Sequence, residues 1–448
     1  MPTGTLVHTR LSDALRTNFA ALPWSARGPL LVVGNPPWVT SSELGALGSL
    51  NVPVKRNLKG LRGLEAKTGH ANFDLTEYVF IQLLEHLQDQ QPTIALLCKT
   101  SVARKIIRYV HKRQMPVTKS AIYRIDAGHW FGASVDACLL SVDLGTTPGD
   151  YRVEVFDSPA AVVPSAVMGL SGEHVIPDLR TYEAVRFVDG KSQIRWRQGI
   201  KHDVASVLEL TESAEGLRNG LGEPVRVESD FLFPLAKSSD LASARTVTRR
   251  WLVVPQMRLG AETTTLATRA PNLAAYLEAH SDAFDRRKSS IYSRAPRFAL
   301  FGVGDYSFAP YKVAISGLHK RPSFRVLQPV EGKPVVLDDT CYFAALPSLE
   351  TAVALAGLLS TGVARAFLSA IVFTDSKRPI TVSGVLSRLD LEVLERSAAD
   401  SELVELVGSI LQSTDQTAPD AFAIREALQS VIRGKVEEDS LMQSVLAI

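Results

Sequence analysis

The apolar run at residues 30–33 constrains the fold most, because it ends at Asn35-Pro36-Pro37-Trp38. A short apolar run of this kind is typical of a buried strand. Two consecutive prolines fix their φ angles and remove two backbone donors, so neither a helix nor a central strand continues through them. The sequence therefore predicts a buried strand that stops at Asn35, followed by a rigid turn that presents Trp38.

Composition places the chain among globular proteins. It has 448 residues, 46% of them hydrophobic and 21% charged, with a net charge of +2, and this length predicts two to three domains. The three cysteines, Cys98, Cys138 and Cys341, lie far apart in the sequence and form no C-x-x-C pair. We therefore expect no disulfide framework, no structural zinc and a reducing, cytoplasmic location.

The sequence predicts neither a signal peptide nor a membrane span. Its amino terminus has no charged segment followed by an apolar one. The longest apolar stretch, residues 353–373, contains Arg365, Gly357 and Gly362. This stretch predicts a buried helix or a pair of helices.

Periodicity in residues 1–150 predicts an α/β domain built on a parallel sheet. Asp74 and Glu77 have the spacing of a capping box, which predicts a helix beginning at Leu75. A second helix is predicted from about Ser101. The predicted strands are residues 5–9, 30–33, 93–98, 121–125 and 137–142.

The rest of the chain divides by composition. Residues 151–245 are mixed and rich in turns, whereas residues 245–325 carry fourteen Lys and Arg against five Asp and Glu. Residues 396–448 are acidic and have a helical pattern. The predicted domains are therefore an α/β domain at 1–150, a mixed α+β domain at 151–395 and a helical segment at 396–448.

The turn has the chemistry to hold an aromatic amine. Ligands of open α/β sheets bind beyond the carboxyl ends of the strands, where Asn35 is predicted to lie. The Asn35 amide oxygen and the Pro36 carbonyl can each accept one proton of an exocyclic amine, and the prolines hold that carbonyl rigidly. Trp38 can then stack on a base that has left its duplex. The alternative is a plain turn that only terminates a strand.

With its surroundings, the turn resembles a known catalytic motif. Over residues 5–395 the chain resembles the γ-type N6-adenine DNA methyltransferases of restriction–modification systems. These are type IIG-like enzymes in which a catalytic domain precedes a target-recognition domain. The resemblance implies Asn35, Pro36, Pro37 and Trp38 as catalytic residues. The last position is usually Tyr or Phe in this family, and Trp keeps the stacking face.

Other segments extend the resemblance along the chain. The segment that begins at Asn72, NFDLTEYVFIQLLEHL, resembles the one that lines the methyl-donor pocket in these enzymes. The resemblance implies that Asp74 contacts S-adenosylmethionine. The strand and turn that follow resemble TIALLCKTSVARK. In these enzymes, an aromatic ring packs on the flipped base, and the region that carries it is similar to HWFGASVDACLL here. The resemblance implies Phe131 in this role, with Trp130 behind it. The implied fold is a partial Rossmann-like methyltransferase sheet followed by a recognition domain.

The recognition domain of the family resembles the basic segment at 286–325 and the later stretch DSKRPIT. Cations alternate with aromatic residues in that segment, which predicts a surface for double-stranded DNA. The predicted DNA contacts are Arg294, Arg297, Lys312 and Lys320, with Lys377-Arg378 as a further candidate. The alternative is an ordinary solvated face.

The resemblance also implies parts that this sequence lacks. Family members carry, before the N-P-P turn, a glycine-rich loop and an acidic residue that bind S-adenosylmethionine. Only 34 residues precede Asn35 here, and they fit one strand followed by Asp13 as the candidate acid. Without the first strand, the strand at 30–33 would show an open apolar edge. We therefore expect a second polypeptide to supply the missing half; a truncated gene product and a rearranged order are the alternatives.

A rearranged order has one candidate donor loop, Gly302-Val303-Gly304-Asp305. No Rossmann-like helix is predicted after it, and a lone G-x-G is weak support for a donor loop. We therefore predict a turn within the recognition domain at this place.

Two further functions stay open on the sequence alone. A truncated or degenerate chain could recognise DNA without methylating it, and N-P-P-aromatic turns also serve methyl transfer to glutamine amides or RNA bases. The long basic region disfavours glutamine as the substrate. His70 and His129 are not needed as bases, since the amine loses its proton readily after methylation. Asp338-Asp339 has no ligand partners at useful spacing, so no metal is expected.

Overall fold

The computed structural model describes residues 9–24, 28–39, 74–147, 149–242, 250–261, 263, 265–412 and 419–434. The chain divides into two compact units between Arg180 and Thr181. We refer to them as the amino-terminal unit and the carboxyl-terminal unit and describe each by itself.

One mixed sheet organises the described part of the amino-terminal unit. Its seven strands lie in the order β1-β2-β4-β3-β5-β6-β7. The strands are β1 (Leu31–Gly34), β2 (Thr93–Lys99), β3 (Val117–Ile125), β4 (Ala137–Leu144), β5 (Val153–Phe156), β6 (Ala166–Ser171) and β7 (His174–Ile176). The helices are α1 (Leu75–Leu87), α2 (Thr100–Lys112) and α3 (Ala127–Phe131), with 3₁₀ turns at Phe19–Ala21 and Gln88–Gln90.

Strand directions in this sheet differ from the parallel sheet that the periodicity predicts. β1 and β2 are parallel, as are β3 and β5, but β4 runs antiparallel to both β2 and β3. The prediction of a purely parallel sheet was therefore wrong. The short connection from β3 to β4, which contains only α3, cannot carry the chain back along the sheet as a parallel crossover does.

The predicted positions of the first strands and helices are confirmed in the described residues. α1 begins after Asp74, whose carboxylate accepts a hydrogen bond from the Thr76 backbone N–H. The predicted strand at 5–9 lies outside the described residues except for Thr9, which is not in a strand. β5 to β7 continue the sheet past residue 150, so the sheet extends beyond the predicted domain boundary.

The core of the amino-terminal unit forms where α1 and α2 pack on β2. Phe80 and Leu84 of α1, Ile94 of β2 and Ile106 of α2 are fully enclosed. Burying one such side chain stabilises the fold by roughly 1.5–3 kcal/mol relative to leaving it exposed. These elements therefore fix the β2 end that lies beside the N-P-P turn.

β1 lies at one edge of the sheet and pairs only with β2 among the described strands. Its apolar side chains are not covered there: Leu31 is 61% exposed and Val33 is 66% exposed. The prediction of an open apolar edge is confirmed for the described residues. An edge of this kind offers unpaired backbone groups to a further strand.

Two sheets organise the described part of the carboxyl-terminal unit. Five strands have the order β10-β9-β12-β11-β15, and four have the order β14-β13-β16-β8. The strands are β8 (Arg197–Gln198), β9 (Glu209–Ser213), β10 (Gly216–Asn219), β11 (Leu232–Ala236), β12 (Arg250–Val253), β13 (Tyr311–Ser316), β14 (Phe324–Leu327), β15 (Val336–Leu337) and β16 (Cys341–Leu346).

The helices of this unit follow the same order along the chain. They are α4 (Leu179–Val185, which spans the division), α5 (Ala205–Leu208), α6 (Ser238–Ala242), α7 (Leu266–Arg269), α8 (Pro271–Ala279), α9 (Ser281–Asp285), α10 (Leu349–Leu359), α11 (Gly362–Ile371), α12 (Leu391–Ser397), α13 (Asp400–Leu411) and α14 (Ala421–Ile432). The 3₁₀ turns are Arg186–Val188, Ser229–Phe231, Ser290–Tyr292, Asp305–Phe308 and Leu386–Arg388.

The apolar stretch at 353–373 forms parts of α10 and α11, as the prediction of buried helices requires. α10 packs against α13 and α14. The contact is close, since a Cβ added at Gly357 would lie 2.7 Å from a methyl carbon of Val407. Among the described residues no single helix is long and apolar enough to cross a membrane; α10 and α11 reach that length only together, with a 64° bend between them.

The G-x-G candidate for a donor loop forms a turn, as predicted. Gly302 has φ +70°, and Asp305 begins a short 3₁₀ helix that leads into β13. No long helix follows it, so a Rossmann-like phosphate loop is not formed there. The stretch belongs to the carboxyl-terminal unit.

Candidate active site

The N-P-P turn lies at the carboxyl end of β1. β1 ends at Gly34, which pairs with Leu96 of the parallel strand β2, and Asn35 follows as an exposed residue. Carboxyl ends of parallel strands meet at one edge of a sheet, which is the usual ligand side. Asn35 therefore reaches the place that the sequence predicts for it.

Trp38 is held by the end of β2. Its indole N–H donates to the Leu97 carbonyl at 3.2 Å, and its own carbonyl accepts from the Lys99 ammonium at 2.8 Å. β1 has already ended at this level, so Leu97 has no β1 partner opposite it. The half-buried indole is thereby fixed in orientation by both a side-chain and a backbone bond.

The start of α1 holds the next carbonyls of the turn. The Thr76 hydroxyl donates to the Pro37 carbonyl at 3.0 Å, and the Leu75 N–H donates to the Val39 carbonyl at 3.0 Å. Neither the Asn35 side chain nor the Pro36 carbonyl forms a hydrogen bond with another described residue. These two acceptors are therefore open to a ligand.

Phe131 joins Trp38 from a separate part of the chain. Asp126 caps the start of α3, since its carboxylate accepts from the His129 N–H, and Gly132 follows the helix with φ +62°. This tight end leaves Phe131 51% exposed. Its ring meets the Trp38 indole edge to face, with centroids 6.1 Å apart and planes at 82°.

Trp130 and His129 lie beside this pair without joining it. Trp130 is 69% exposed, and its ring contacts the His129 imidazole at 5.0 Å. Of the two aromatic residues that the sequence offers, Phe131 is the one in contact with Trp38. The structure thus brings together Trp38 and Phe131, which are 93 residues apart in the sequence.

Asp74 has partners that differ from those the resemblance implies. One carboxylate oxygen caps α1 through the Thr76 N–H at 3.1 Å, and the other accepts from the Lys99 ammonium at 2.9 Å. The Asp74 side chain is 5% exposed. Both oxygens therefore serve the turn and the helix start.

Asp13, the other predicted cofactor residue, lies in a local turn. Its carboxylate accepts from the Leu15 N–H at 3.0 Å and lies 3.6 Å from the Arg16 guanidinium. No described strand precedes it. Asp13 and Asp74, the two predicted cofactor residues, thus each have partners within the described residues.

Lys312 cannot contact DNA, so this prediction was wrong. Its side chain is 1% exposed, and the ammonium donates to the Ala309 carbonyl at 2.5 Å and lies 5.8 Å from the centre of the Phe343 ring. Burial lowers the pKa of Lys312 to about 7. Both faces of strand β13 are covered from Lys312 to Ser316, which a count of basic residues cannot reveal.

The other predicted DNA contacts are exposed, with different surroundings. Arg297 pairs with Asp285 at 2.7 Å and Glu278 at 3.0 Å. Arg294 and Lys320 have no ion pair with another described residue. Lys320 lies with His319 and Arg321 along a groove of about 550 Å³.

Some cation–aromatic neighbours in the basic segment are internal structure. The Arg287 guanidinium lies 3.7 Å from the centre of the Tyr292 ring and donates to the Ala299 carbonyl at 2.7 Å. Burial lowers the pKa of Arg287 and raises that of Tyr292. The predicted pattern thus contains structural contacts as well as free cations.

Two features of the site were missed by the sequence analysis: Lys99 and Thr76. Their positions in the sequence could have identified them, because Lys99 ends a predicted strand and Thr76 lies at a predicted helix start. No described group of three or more His, Cys, Asp or Glu could hold a metal ion. His70 lies outside the described residues.

Comparison with known proteins gives the family. The chain is 40% identical over 389 residues to the type II methyltransferase M.NspV of Nostoc sp. (strain ATCC 29411 / PCC 7524), a match that covers 86% of this chain and 81% of the relative. This chain belongs to the type II methyltransferase family. No protein-family model matches the methyltransferase.

One solved structure supports the fold. The methyltransferase resembles the type IIL restriction–modification enzyme MmeI, solved in complex with DNA, with a TM-score of 0.54, 12% identity and 92% of this chain covered. It spans about half of that structure, 56% of its length. The type IIG restriction endonuclease BpuSI gives a TM-score of 0.31 at 13% identity, which is too low to support an inference. The fold class is therefore α/β, with a partial Rossmann-like methyltransferase sheet followed by a mixed α+β region and carboxyl-terminal helices.

Proposed function

We propose that this methyltransferase transfers a methyl group to N6 of an adenine in a specific sequence of double-stranded DNA. The observation that carries the proposal is the pair of free acceptors at the turn. The carbonyls of Pro37, Trp38 and Val39 are all hydrogen bonded within the described residues, whereas Asn35 and the Pro36 carbonyl are not. An exocyclic amine has two protons to donate, which matches this arrangement.

Asn35 and Pro36 would act by orienting the amine of the base. Asn35 and the Pro36 carbonyl would accept the two amine protons and draw the nitrogen lone pair out of conjugation with the ring. The prolines and the three held carbonyls keep these acceptors in place before the base arrives, so little reorganisation is needed at the moment of transfer. The methyl group itself would come from S-adenosylmethionine, the expected donor of this family.

Trp38 and Phe131 would hold the flipped base. Both rings are partly exposed at the same edge of the sheet, and each has a face or an edge open to a ligand. A base taken out of a duplex loses its stacking, and aromatic side chains replace part of that energy. This supports a base as the substrate over the planar amide of a protein side chain.

The experiment is to express the gene with its neighbouring genes in a host without DNA methylation and to map modified bases by single-molecule sequencing. We expect N6-methyladenine at one short sequence, and this map also supplies the recognition site. N4-methylcytosine or 5-methylcytosine at that site would overturn the adenine assignment. A host genome without any modified base would favour a DNA-binding protein that does not methylate.

We also propose that a second polypeptide completes the edge of β1 and carries the residues that bind S-adenosylmethionine. Support comes from the exposed Leu31 and Val33, and from the internal partners of Asp74. A strand that pairs with β1 would cover both apolar side chains and satisfy the free backbone edge. Co-purification with the product of the adjacent upstream gene tests this. Full activity and donor binding by the chain alone would overturn it.

A further inference from the structure

We infer that Lys99 is a positioning residue that sets the acceptor geometry of the turn, with Asp74 as its partner. The inference rests on the proposed function, since it assigns a role within the same site. It gives Asp74 a task that differs from the cofactor contact implied by the resemblance.

The geometry joins three elements at one ammonium group. Lys99 ends β2, and its ammonium donates to the Trp38 carbonyl at 2.8 Å and to an Asp74 carboxylate oxygen at 2.9 Å. Asp74 in turn caps α1. One cation therefore links the carboxyl end of β2, the turn after β1 and the amino terminus of α1.

Burial makes this link stiff. The Asp74 side chain is 5% exposed and the Lys99 side chain is 26% exposed. A charge-assisted pair shielded from water is stronger and better oriented than one on the surface. Other donors hold the flanking carbonyls, but Lys99 is the charged group among the described residues that reaches the turn backbone.

Loss of the bond between the Lys99 ammonium and the Trp38 carbonyl would shift the two acceptors, the Asn35 amide oxygen and the Pro36 carbonyl. The rings of Pro36 and Pro37 fix their φ angles, so the turn moves largely as one piece about the remaining torsions. Without the Lys99 ammonium, the peptide group after Trp38 loses its charged donor, so the remaining hydrogen bonds hold the turn and its Pro36 carbonyl less rigidly. A displacement of about 1 Å at a reacting group costs about a hundredfold in rate.

The test uses the full chain together with the polypeptide that completes its donor site and a duplex carrying the mapped sequence. We expect Lys99→Met to lower kcat about a hundredfold while the KM for DNA changes less than about twofold. Lys99→Arg can still donate to both acceptors, so it should recover at least about a tenth of the parental kcat. Asp74→Asn keeps a cap for α1 but removes the anionic partner, and we expect a smaller loss of kcat.

Lys105→Met is the matched control. Lys105 pairs with the buried carboxylate of Glu77 at 3.0 Å on α1, and its side chain is 40% exposed. This change removes a cation from a buried carboxylate, as Lys99→Met does, without touching the turn. We expect a comparable loss of thermal stability and a kcat within about twofold of the parent.

The double variant, which combines Lys99→Met with Asp74→Asn, gives a further test of whether the two residues act together. If Lys99 and Asp74 act as one unit, the double variant should be no slower than Lys99→Met alone. The inference is wrong if the parent methylates adenine and Lys99→Met keeps its kcat, or if Lys105→Met slows turnover equally. A parent enzyme that leaves adenine unmodified would instead contradict the proposed function itself.

Discussion

The indole of Trp38 and the ring of Phe131 meet edge to face, with centroids 6.1 Å apart and planes at 82°. The two residues follow different strands and come together at the sheet edge where Asn35 lies. A base entering the site would exchange this aromatic contact for contacts with the base. Under the proposed function, this pair is where a flipped base would be captured.

Base capture should depend on both rings. We expect Trp38→Ala and Phe131→Ala each to weaken capture by about 1–3 kcal/mol, the usual worth of a base–aromatic stack. The measurement is the fluorescence gain of 2-aminopurine placed at the target position, which reports unstacking. Trp130→Ala is the control, because Trp130 is adjacent and 69% exposed but does not contact Trp38. Equal loss in all three variants would contradict the assignment.

Asn35 should act on the chemical step and not on binding. We expect Asn35→Ala to lower the methylation rate by about 10²–10³-fold, as the loss of one preorganised hydrogen-bond partner does. DNA affinity should stay within about twofold, since phosphate contacts dominate it. Single-turnover methylation and gel-shift titration measure the two quantities. An Asn35→Ala enzyme that methylates at the parental rate would remove this residue from the mechanism.

DNA affinity should depend on the free cations of the carboxyl-terminal unit. Each phosphate contact releases counterions, so Arg294→Ala and Lys320→Ala should each flatten the slope of log affinity against log salt by about one. Arg297→Ala should have a smaller effect, because Asp285 and Glu278 already compensate this charge. Exposed Lys191, outside the basic segment, is the control. If every variant has the parental slope of log affinity against log salt, the basic segment is a solvated face that does not contact DNA.

Buried Lys312 should make stability depend on pH. The folded-state pKa is about 7, against 10.5 for a free lysine. Between these values the unfolded state binds more protons, so the free energy of unfolding should rise from pH 7 towards pH 10.5 and contribute no slope below pH 7. Lys312→Met, which keeps the volume, should flatten this rise without changing DNA affinity.

Urea unfolding at pH 6.5, 8 and 9.5 measures the effect of Lys312 as a difference between parent and variant. Other titrating groups are common to both proteins and cancel in that difference. Identical pH profiles would show that the pKa of Lys312 is not lowered in the folded state. A loss of DNA affinity in the variant would instead restore it as a DNA contact.

The isolated chain should bind S-adenosylmethionine weakly. Asp74 is engaged by Lys99 and the start of α1, and Asp13 lies in a local turn near Arg16. Calorimetric titration of the chain alone should give little heat, and the complete enzyme should give a saturable signal. Tight binding to the chain alone would show that residues outside the described ranges form the donor pocket.

The sequence by itself determined the local structure around the site. Prolines and a short apolar run fix the end of β1, since backbone sterics allow little else. Asp74 marks the start of α1 because a carboxylate there satisfies a free backbone N–H. These features depend on neighbours in sequence.

Tertiary structure alone decided which distant groups meet. Strand pairing sets Cys98 opposite Cys138 with sulfur atoms 3.7 Å apart, although 40 residues separate them. The pairing of β1 with β2 likewise brings Lys99 to the Trp38 carbonyl. β13 is covered on both faces, so Lys312 is buried although its charge predicts an exposed side chain. Composition cannot distinguish these cases, because burial and contact depend on sheet register and on which face of each strand is covered.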